Sequence, residues 1–268
     1  MTIRTDDHSQ KYIHHDEAHN LESPSIIVPI IVEVLQPNSV VDFGCGTGTF
    51  LSVFKNHGVT DIRGYDGDWV NREKLARHID LRYFIPVDLE QKIAPDRRFD
   101  LAVCLEVAEH LNEESADILI NTLVSFSDII LFAAAVPGQM GQNHVNEQWP
   151  EYWQDKFLKA GYHFHDVFRP IFWRQEQVPR WYKQNMFLVL KEGLEPIAEK
   201  FKSFAYDGIN SYVHPEYFSI RVTELKQLQK DKEALDLQFA ELLQGKASFN
   251  KYLKMLIKAF FYRFKLKQ

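Results

Sequence analysis

Three glycines separated by single residues, in Val40-Val41-Asp42-Phe43-Gly44-Cys45-Gly46-Thr47-Gly48-Thr49-Phe50, constrain this chain more than any other stretch. An apolar run carrying one acid, Val40 to Phe43, stops in the glycines, and helix-compatible residues follow from Thr49 to His57. The pattern predicts a buried strand, a tight turn and a helix start. Glycine is required where a backbone takes positive φ or lies against a ligand with no Cβ between. The turn therefore offers bare N–H groups at a helix N-terminus, an arrangement suited to a carboxylate or phosphate. The spacing excludes two common readings. In a dinucleotide fingerprint G-x-G-x-x-G the third glycine would stand at Thr49, one position later than Gly48, and no G-x-x-x-x-G-K-[ST] phosphate cradle is present.

Strands and helices alternate around this turn from about residue 24 to 190, which predicts βαβ units and a parallel sheet. A helix over Pro24–Leu35 precedes strands at Ser39–Phe43, Asp61–Tyr65, Arg82–Val87, Asp100–Leu105 and Ile129–Ala134. Helices are expected at Glu113–Phe126 and Pro150–Lys159, the latter stopped by Gly161. Tyr162–Phe168 and Trp181–Leu190 then read as a hairpin-like antiparallel pair. A polar leader, 1–23, precedes this domain of residues 24–190, and a connecting segment, 191–217, leads to a helical extension over 218–268.

In that extension Phe218, Leu225 and Phe239 occupy a positions of a heptad frame, with Lys232 as the polar exception, and Leu228, Leu235 and Leu242 occupy d positions. This predicts a coiled coil and a homo-oligomer through 218–242, or a single amphipathic helix against the body. Residues 251–268 carry six cations and no acid; subtracting this +6 from the formal net charge of −6 leaves −12 on residues 1–250. The aromatic, basic tail reads as a membrane-surface or partner-binding element, or as a helix folded on the acidic body. The acidic body argues against a general nucleic-acid partner. Two cysteines, Cys45 and Cys104, at buried strand ends are no disulfide framework, the N-terminus has no signal-peptide pattern, and no apolar run is long enough to span a bilayer. A cytoplasmic location follows as the expectation, with peripheral contact at the inner membrane face through the tail.

Three further segments bear acids at the ends of successive predicted strands, where ligands sit in open α/β sheets. Gly64-Tyr65-Asp66-Gly67 places a carboxylate eighteen residues after Gly48, able to accept two hydrogen bonds from a ribose diol. Pro86-Val87-Asp88-Leu89 ends the third strand, and Leu105-Glu106-Val107-Ala108-Glu109-His110 ends the fourth. If a helical turn starts at Glu106, then Glu106, Glu109 and His110 share one face and can hold a divalent ion, with His144 as a fourth ligand from just past the fifth strand.

In this order the motifs resemble those of class I S-adenosylmethionine (SAM) methyltransferases. The resemblance implies an α/β fold with a seven-stranded, mostly parallel sheet of order 3-2-1-4-5-7-6 between helices. It implies that SAM is held by Asp42, Gly44, Cys45, Gly46, Gly48, Asp66, Asp88, Leu89 and Leu105, with Asp88 and Leu89 at the adenine. The E-x-x-E-H set with a later His is similar to the Mg²⁺-binding residues of ubiquinone-pathway O-methyltransferases and small-RNA 2′-O-methyltransferases. On that likeness Glu106, Glu109, His110 and His144 are metal ligands. Many relatives with E-V-x-E-H bind no metal, and there His110 packs near the cofactor; both readings stand. Glu106, His110 and His144 are the candidate catalytic residues, with His144 a general base or substrate contact. The segment from His144 to Trp153, with Trp173-Arg174 and Trp181 to Asn185, mixes aromatic faces with amides as polyhydroxyl ligands favour, and is similar to a bacterial subgroup associated with surface glycans. The expected acceptor is a sugar hydroxyl of a cell-surface glycan, with a small phenol or quinone-type metabolite, an RNA 2′-hydroxyl and a non-catalytic SAM-fold module as alternatives. The leader residues Tyr12 and His19 are expected near the cofactor.

Overall fold

A computed structural model describes residues 12–13, 20–244, 248–250, 252–254 and 256–257. Ser39–Phe43 forms β1, Asp61–Asp66 β2, Phe84–Pro86 β3, Leu101–Leu105 β4, Ile129–Ala133 β5, Tyr162–His165 β6 and Phe187–Lys191 β7. They make one sheet in the order 3-2-1-4-5-7-6. β1, β2, β3, β4 and β5 pair in parallel, while β7 runs antiparallel to both β5 and β6. The helices are α1 (Glu22–Leu35), α2 (Thr49–Asn56), α3 (Arg72–Ala76), α4 (Ala116–Phe126), α5 (Pro150–Lys159), α6 (Phe168–Phe172), α7 (Arg180–Asn185), α8 (Pro196–Glu199) and α9 (Pro215–Leu243).

Every residue of β1 and β4 is buried because helices cover both faces of the sheet. The strand period of two divides their side chains between two apolar layers. Val40, Leu101 and Val103 meet Ile27, Ile31, Leu51 and Phe54 of α1 and α2 on one side. Val41, Phe43, Ala102 and Cys104 meet Leu119, Leu123 and Phe126 of α4 and Trp153 and Phe157 of α5 on the other. Asp100 ties the starts of β1 and β4 together: its Oδ2 accepts from the Asn38 and Ser39 N–H groups at 2.7 and 3.0 Å, and Ser39 Oγ accepts from Asp100 N–H at 2.9 Å. The C-terminal ends of the central strands are thereby held in fixed register beneath one cavity.

Four elements differ from the sequence-based expectation. Residues 180–185 are helical rather than the first half of a strand; Pro179 presets the entry to α7, and β7 starts only at Phe187. The expected hairpin-like pair therefore exists between β6 and β7, but two helices, α6 and α7, separate its strands. β3 is shorter at its start, since Asp80 accepts from Arg82 N–H and caps a 3₁₀ turn over Leu81–Tyr83. Finally, Ala198 and Phe201 are buried with the core, so the packed body continues past residue 190.

Two compact units divide the chain, residues 1–211 and 212–268. Within the second, α9 exposes Leu225, Leu228, Leu235 and Phe239, the apolar heptad positions. Among the described residues no helix is long and apolar enough to cross a membrane. Most of the basic tail and the leader residues other than Tyr12, Ile13 and Asn20 onwards lie outside the described residues, His19 included.

Candidate active site

The glycine turn has the geometry its spacing requires. Gly44, Gly46 and Gly48 have φ of 77°, 51° and 79°. Gly44 and Cys45 donate N–H to the Tyr65 carbonyl at 2.7 and 3.2 Å, which ties the turn to β2, and Gly48 N–H closes it onto the Cys45 carbonyl at 2.8 Å. A Cβ on Gly44 would stand 2.2 Å from Val107 Cγ2, and one on Gly48 2.9 Å from Leu75 Cδ1. Gly44→Ala combines left-handed strain with this overlap, each of about 1–3 kcal/mol. It is expected to destabilise the fold by about 2–6 kcal/mol in sum, read as a fall in urea midpoint at unchanged slope.

A cavity of about 880 Å³ opens over this turn. Its wall includes Asp42, Gly44, Cys45, Gly46, Asp66, Asp88, Leu89, Leu105, Glu106, Glu109, His110 and His144. Twelve of the thirteen residues expected from sequence to touch cofactor, acceptor or metal are joined here; Gly48 does not line the cavity and packs instead against Leu75 and Ile79. Asp66 accepts from Gly46 N–H at 2.7 Å and Gly67 N–H at 2.6 Å. Burial still outweighs these bonds and raises its pKa to about 6. Asp42, fully enclosed, is raised to about 8 by burial and then by the nearby Asp66 charge. Asp88 is exposed at the rim, where its Oδ1 accepts from Glu90 N–H at 2.9 Å, while Leu89 is buried beside it.

Glu106 and Glu109 diverge. Glu106 takes φ 56°, a left-handed conformation uncommon outside glycine, and directs its carboxylate to Gln139 Nε2 at 2.7 Å and Asn185 Nδ2 at 3.0 Å. The following 3₁₀ turn over Ala108–His110 turns Glu109 and His110 toward His144 instead. One ligand atom from each of Glu109, His110 and His144 lies within 4.8 Å of the others. Glu106 is outside this group, because its oxygens are directed to two amides. Burial pushes both glutamates upward in pKa; Glu109 is raised further by Glu106, and the neighbouring backbone amides of Glu109 and Ala135 offset only part of this. Neither Glu109 oxygen has a geometrically sound hydrogen-bond partner among the described residues, although the residue is fully buried. A buried carboxylate in that condition is costly unless a cation or proton meets it.

His144 reaches His110 from a distant segment because the Glu109 carbonyl accepts from Val145 and Asn146 N–H at 2.9 and 3.0 Å. The two imidazoles meet edge-to-face at 4.8 Å, and the Tyr12 ring meets His110 edge-to-face at 5.0 Å. Sequence reasoning passed over Glu147 as a site residue. Its Oε1 accepts from Met140 N–H at 2.8 Å and from His144 Nδ1 at 2.9 Å, and its Oε2 accepts from Gly138 N–H at 2.7 Å. Burial raises the Glu147 pKa, but the His144 contact and the two amides outweigh it and hold the carboxyl below its usual range. Trp69, Gln142, Asn143, Trp181 and Tyr182 complete the wall with aromatic faces and amides.

An α/β sheet of this order, with a glycine turn and acids at successive strand ends, defines a class I methyltransferase. The family described as "Methyltransferase domain" matches residues 24–164, and the chain belongs to it. Among solved structures, the chain is similar to the sugar N-methyltransferase KedS8 from Streptoalloteichus sp ATCC 53650, at 12% identity and a TM-score of 0.50, over 71% of this chain and 98% of that one. It also resembles DesVI of Streptomyces venezuelae at 12% identity and a TM-score of 0.49, over 68% of this chain and 100% of that one. A third is magnesium protoporphyrin IX methyltransferase (ChlM) of Synechocystis PCC 6803 with bound SAH, at 18% identity and a TM-score of 0.47, over 68% of this chain and 90% of that one. At 12% identity the likeness to the first of these is one of fold. No curated protein sequence matches the chain. The protein is a SAM-dependent methyltransferase, with SAM as the methyl donor.

Proposed function

We propose that this enzyme O-methylates a hydroxyl of a polyhydroxylated acceptor, with a sugar of a cell-surface glycan or its precursor as the substrate class. The observation that carries this reading is the convergence of Glu109, His110 and His144 on the same cavity as the glycine turn. A hydroxyl is a poor nucleophile until its proton is drawn away, and this group is built for that work. Trp69, Trp181 and Tyr182 with Gln142 and Asn143 supply flat faces and hydrogen-bonding edges suited to a sugar ring.

The residues fit SAM. Gly44, Cys45 and Gly46 of the glycine turn line the cavity, Asp66 can accept from a ribose diol, and the enclosed carboxylates suit a molecule carrying a sulfonium and an ammonium group. SAM supplies an electrophilic methyl on sulfur. The protein's share is to align the acceptor oxygen in line with it and to keep water out. Glu106 fixes Gln139 and Asn185 at the end of β4, which gives that part of the cavity a rigid floor.

The residues also fit a divalent ion. Glu109, His110 and His144 provide one hard oxygen and two imidazole nitrogens, and the orphaned Glu109 carboxylate favours a cation. Such an ion lowers the pKa of a bound hydroxyl. Without it, His144 takes the proton.

Incubating the protein with methyl-labelled SAM and a panel of free and nucleotide-linked sugars, amino sugars and phenols, followed by mass spectrometry, tests the reading. Label on a sugar oxygen, reduced at least about tenfold by His144→Ala, is expected from the size of general-base effects. Label found solely on nitrogen, or solely on phenols, overturns it. Full activity in a chelator would remove the metal and leave His144 as the base.

A further inference from the structure

The loop over residues 138–147 is wound around one carboxylate. Gly138, Met140 and Asn143 all have left-handed φ, of 88°, 57° and 59°. Two of these are non-glycine residues, for which that conformation costs about 1–3 kcal/mol each and persists only where surrounding contacts impose it. At Met140 Glu147 supplies such a contact, accepting from Gly138 and Met140 N–H and from the His144 ring. The His144 ring has little freedom: a Cβ on Gly141 would lie 2.1 Å from its Nε2, so the imidazole rests against the bare α-carbon of that glycine. An ionised carboxylate can only accept, so the nitrogen facing it must carry the proton. In the neutral ring Nε2 is then the nitrogen with a lone pair to give.

We propose that Glu147 is a positioning residue for His144, its carboxylate holding the ring in the Nδ1–H tautomer so that Nε2 is the atom offered to a cation or an acceptor proton. The role rests on the reading of His144 given above, and it deepens that reading by naming which nitrogen works and what fixes it. Carboxylates that orient a histidine in this way typically change metal affinity about 10–100-fold when removed. A merely structural Glu147 would influence loop stability and leave the tautomer alone.

The test uses the full chain, uniformly labelled with ¹⁵N-histidine and saturated with SAM. Long-range ¹H–¹⁵N correlation is expected to show His144 as the Nδ1–H tautomer in the wild type. Glu147→Ala, which leaves Nδ1 without its acceptor, is expected to populate the Nε2–H form while the Kd for SAM stays within about twofold, and to weaken Mn²⁺ binding at least about tenfold, as expected of an orienting carboxylate. A wild-type His144 protonated on Nε2 overturns the proposal, and this arm needs no variant to fold. An unchanged tautomer in a folded Glu147→Ala protein overturns it as well. The two readings fail separately. If the wild type binds no Mn²⁺, the metal falls and the tautomer alone decides Glu147; if His144→Ala leaves methyl transfer intact, the role of His144 falls whatever the tautomer.

Discussion

Replacing Asp66 by alanine is expected to raise the Kd for SAM by at least about 100-fold, while the fold melts within a few degrees of the wild type. Two contributions act on binding. On the proposed reading the carboxylate would accept two hydrogen bonds from a ribose diol, each charge-assisted and worth about 1.5–3 kcal/mol. It also accepts from Gly46 and Gly67 N–H, so its loss loosens the glycine turn as well. At about 1.4 kcal/mol per factor of ten, the lower end of the first contribution alone gives about 100-fold. Stability should respond much less, because two effects oppose. Alanine leaves two amides without their acceptor, but it also removes a carboxyl whose burial already lifts its pKa to about 6. A group that is unfavourable when charged in the free protein is better explained by its ligand than by the fold. Asp66→Asn keeps one acceptor oxygen and should fall between. Calorimetric titration with SAM checks both variants, and a Kd within threefold of wild type for Asp66→Ala would remove Asp66 from the cofactor site.

Much of this site is legible in the sequence because strand ends are. Val40–Phe43 is an apolar run that stops at glycines, so β1 and its turn follow from two residue types, and Asp66, Asp88 and Glu106 fall at the ends of similar runs. β1 and α5 have the same bounds in the structure as in the sequence reading. The order of the strands is a different matter. Periodicity shows that β1 and β4 are buried, but not that they are neighbours; that came from resemblance. Trp181 to Asn185 reads as strand because aromatic residues favour strands, and tertiary placement overrides the propensity there. The arrangement of acids was also hidden. A face shared by Glu106, Glu109 and His110 presumes a regular helical turn, whereas left-handed Glu106 breaks it and Asn185, from the other end of the domain, takes up its carboxylate. Glu147 had a weak local signal, an acid three residues after a histidine in a loop rich in Gly and Asn. Its two backbone contacts depend on a loop path that no periodicity describes.

Affinity for SAM is expected to increase with pH between about 6 and 8, and to do so more steeply than affinity for SAH. Asp42, lifted to about 8, and Asp66, lifted to about 6, both hold protons in part of this range in the free protein. Glu106 and Glu109 are pushed in the same direction by burial. On the proposed reading SAM would bring a sulfonium charge into this enclosed group of carboxyls. A cation favours their ionised forms, so binding releases protons, and affinity gains up to about tenfold per pH unit for each proton released. SAH has the same ribose, adenine and amino acid but a neutral sulfur, so it releases fewer protons and its profile is flatter. The free protein should show the opposite trend. A carboxyl whose pKa is raised by folding binds its proton more tightly when folded. The stabilisation from Asp42 is therefore complete below about 3.8, its ordinary value, and is lost as pH rises to about 8. The melting temperature of the free protein should fall from pH 5 to pH 8, and the increase on adding SAM should grow over the same interval. Calorimetry in buffers of different ionisation enthalpy counts the protons directly. Identical pH profiles for SAM and SAH, with no proton released by either, would mean that these carboxyls do not face the sulfonium, and that the methyl donor is held by the glycine turn and Asp66 without them.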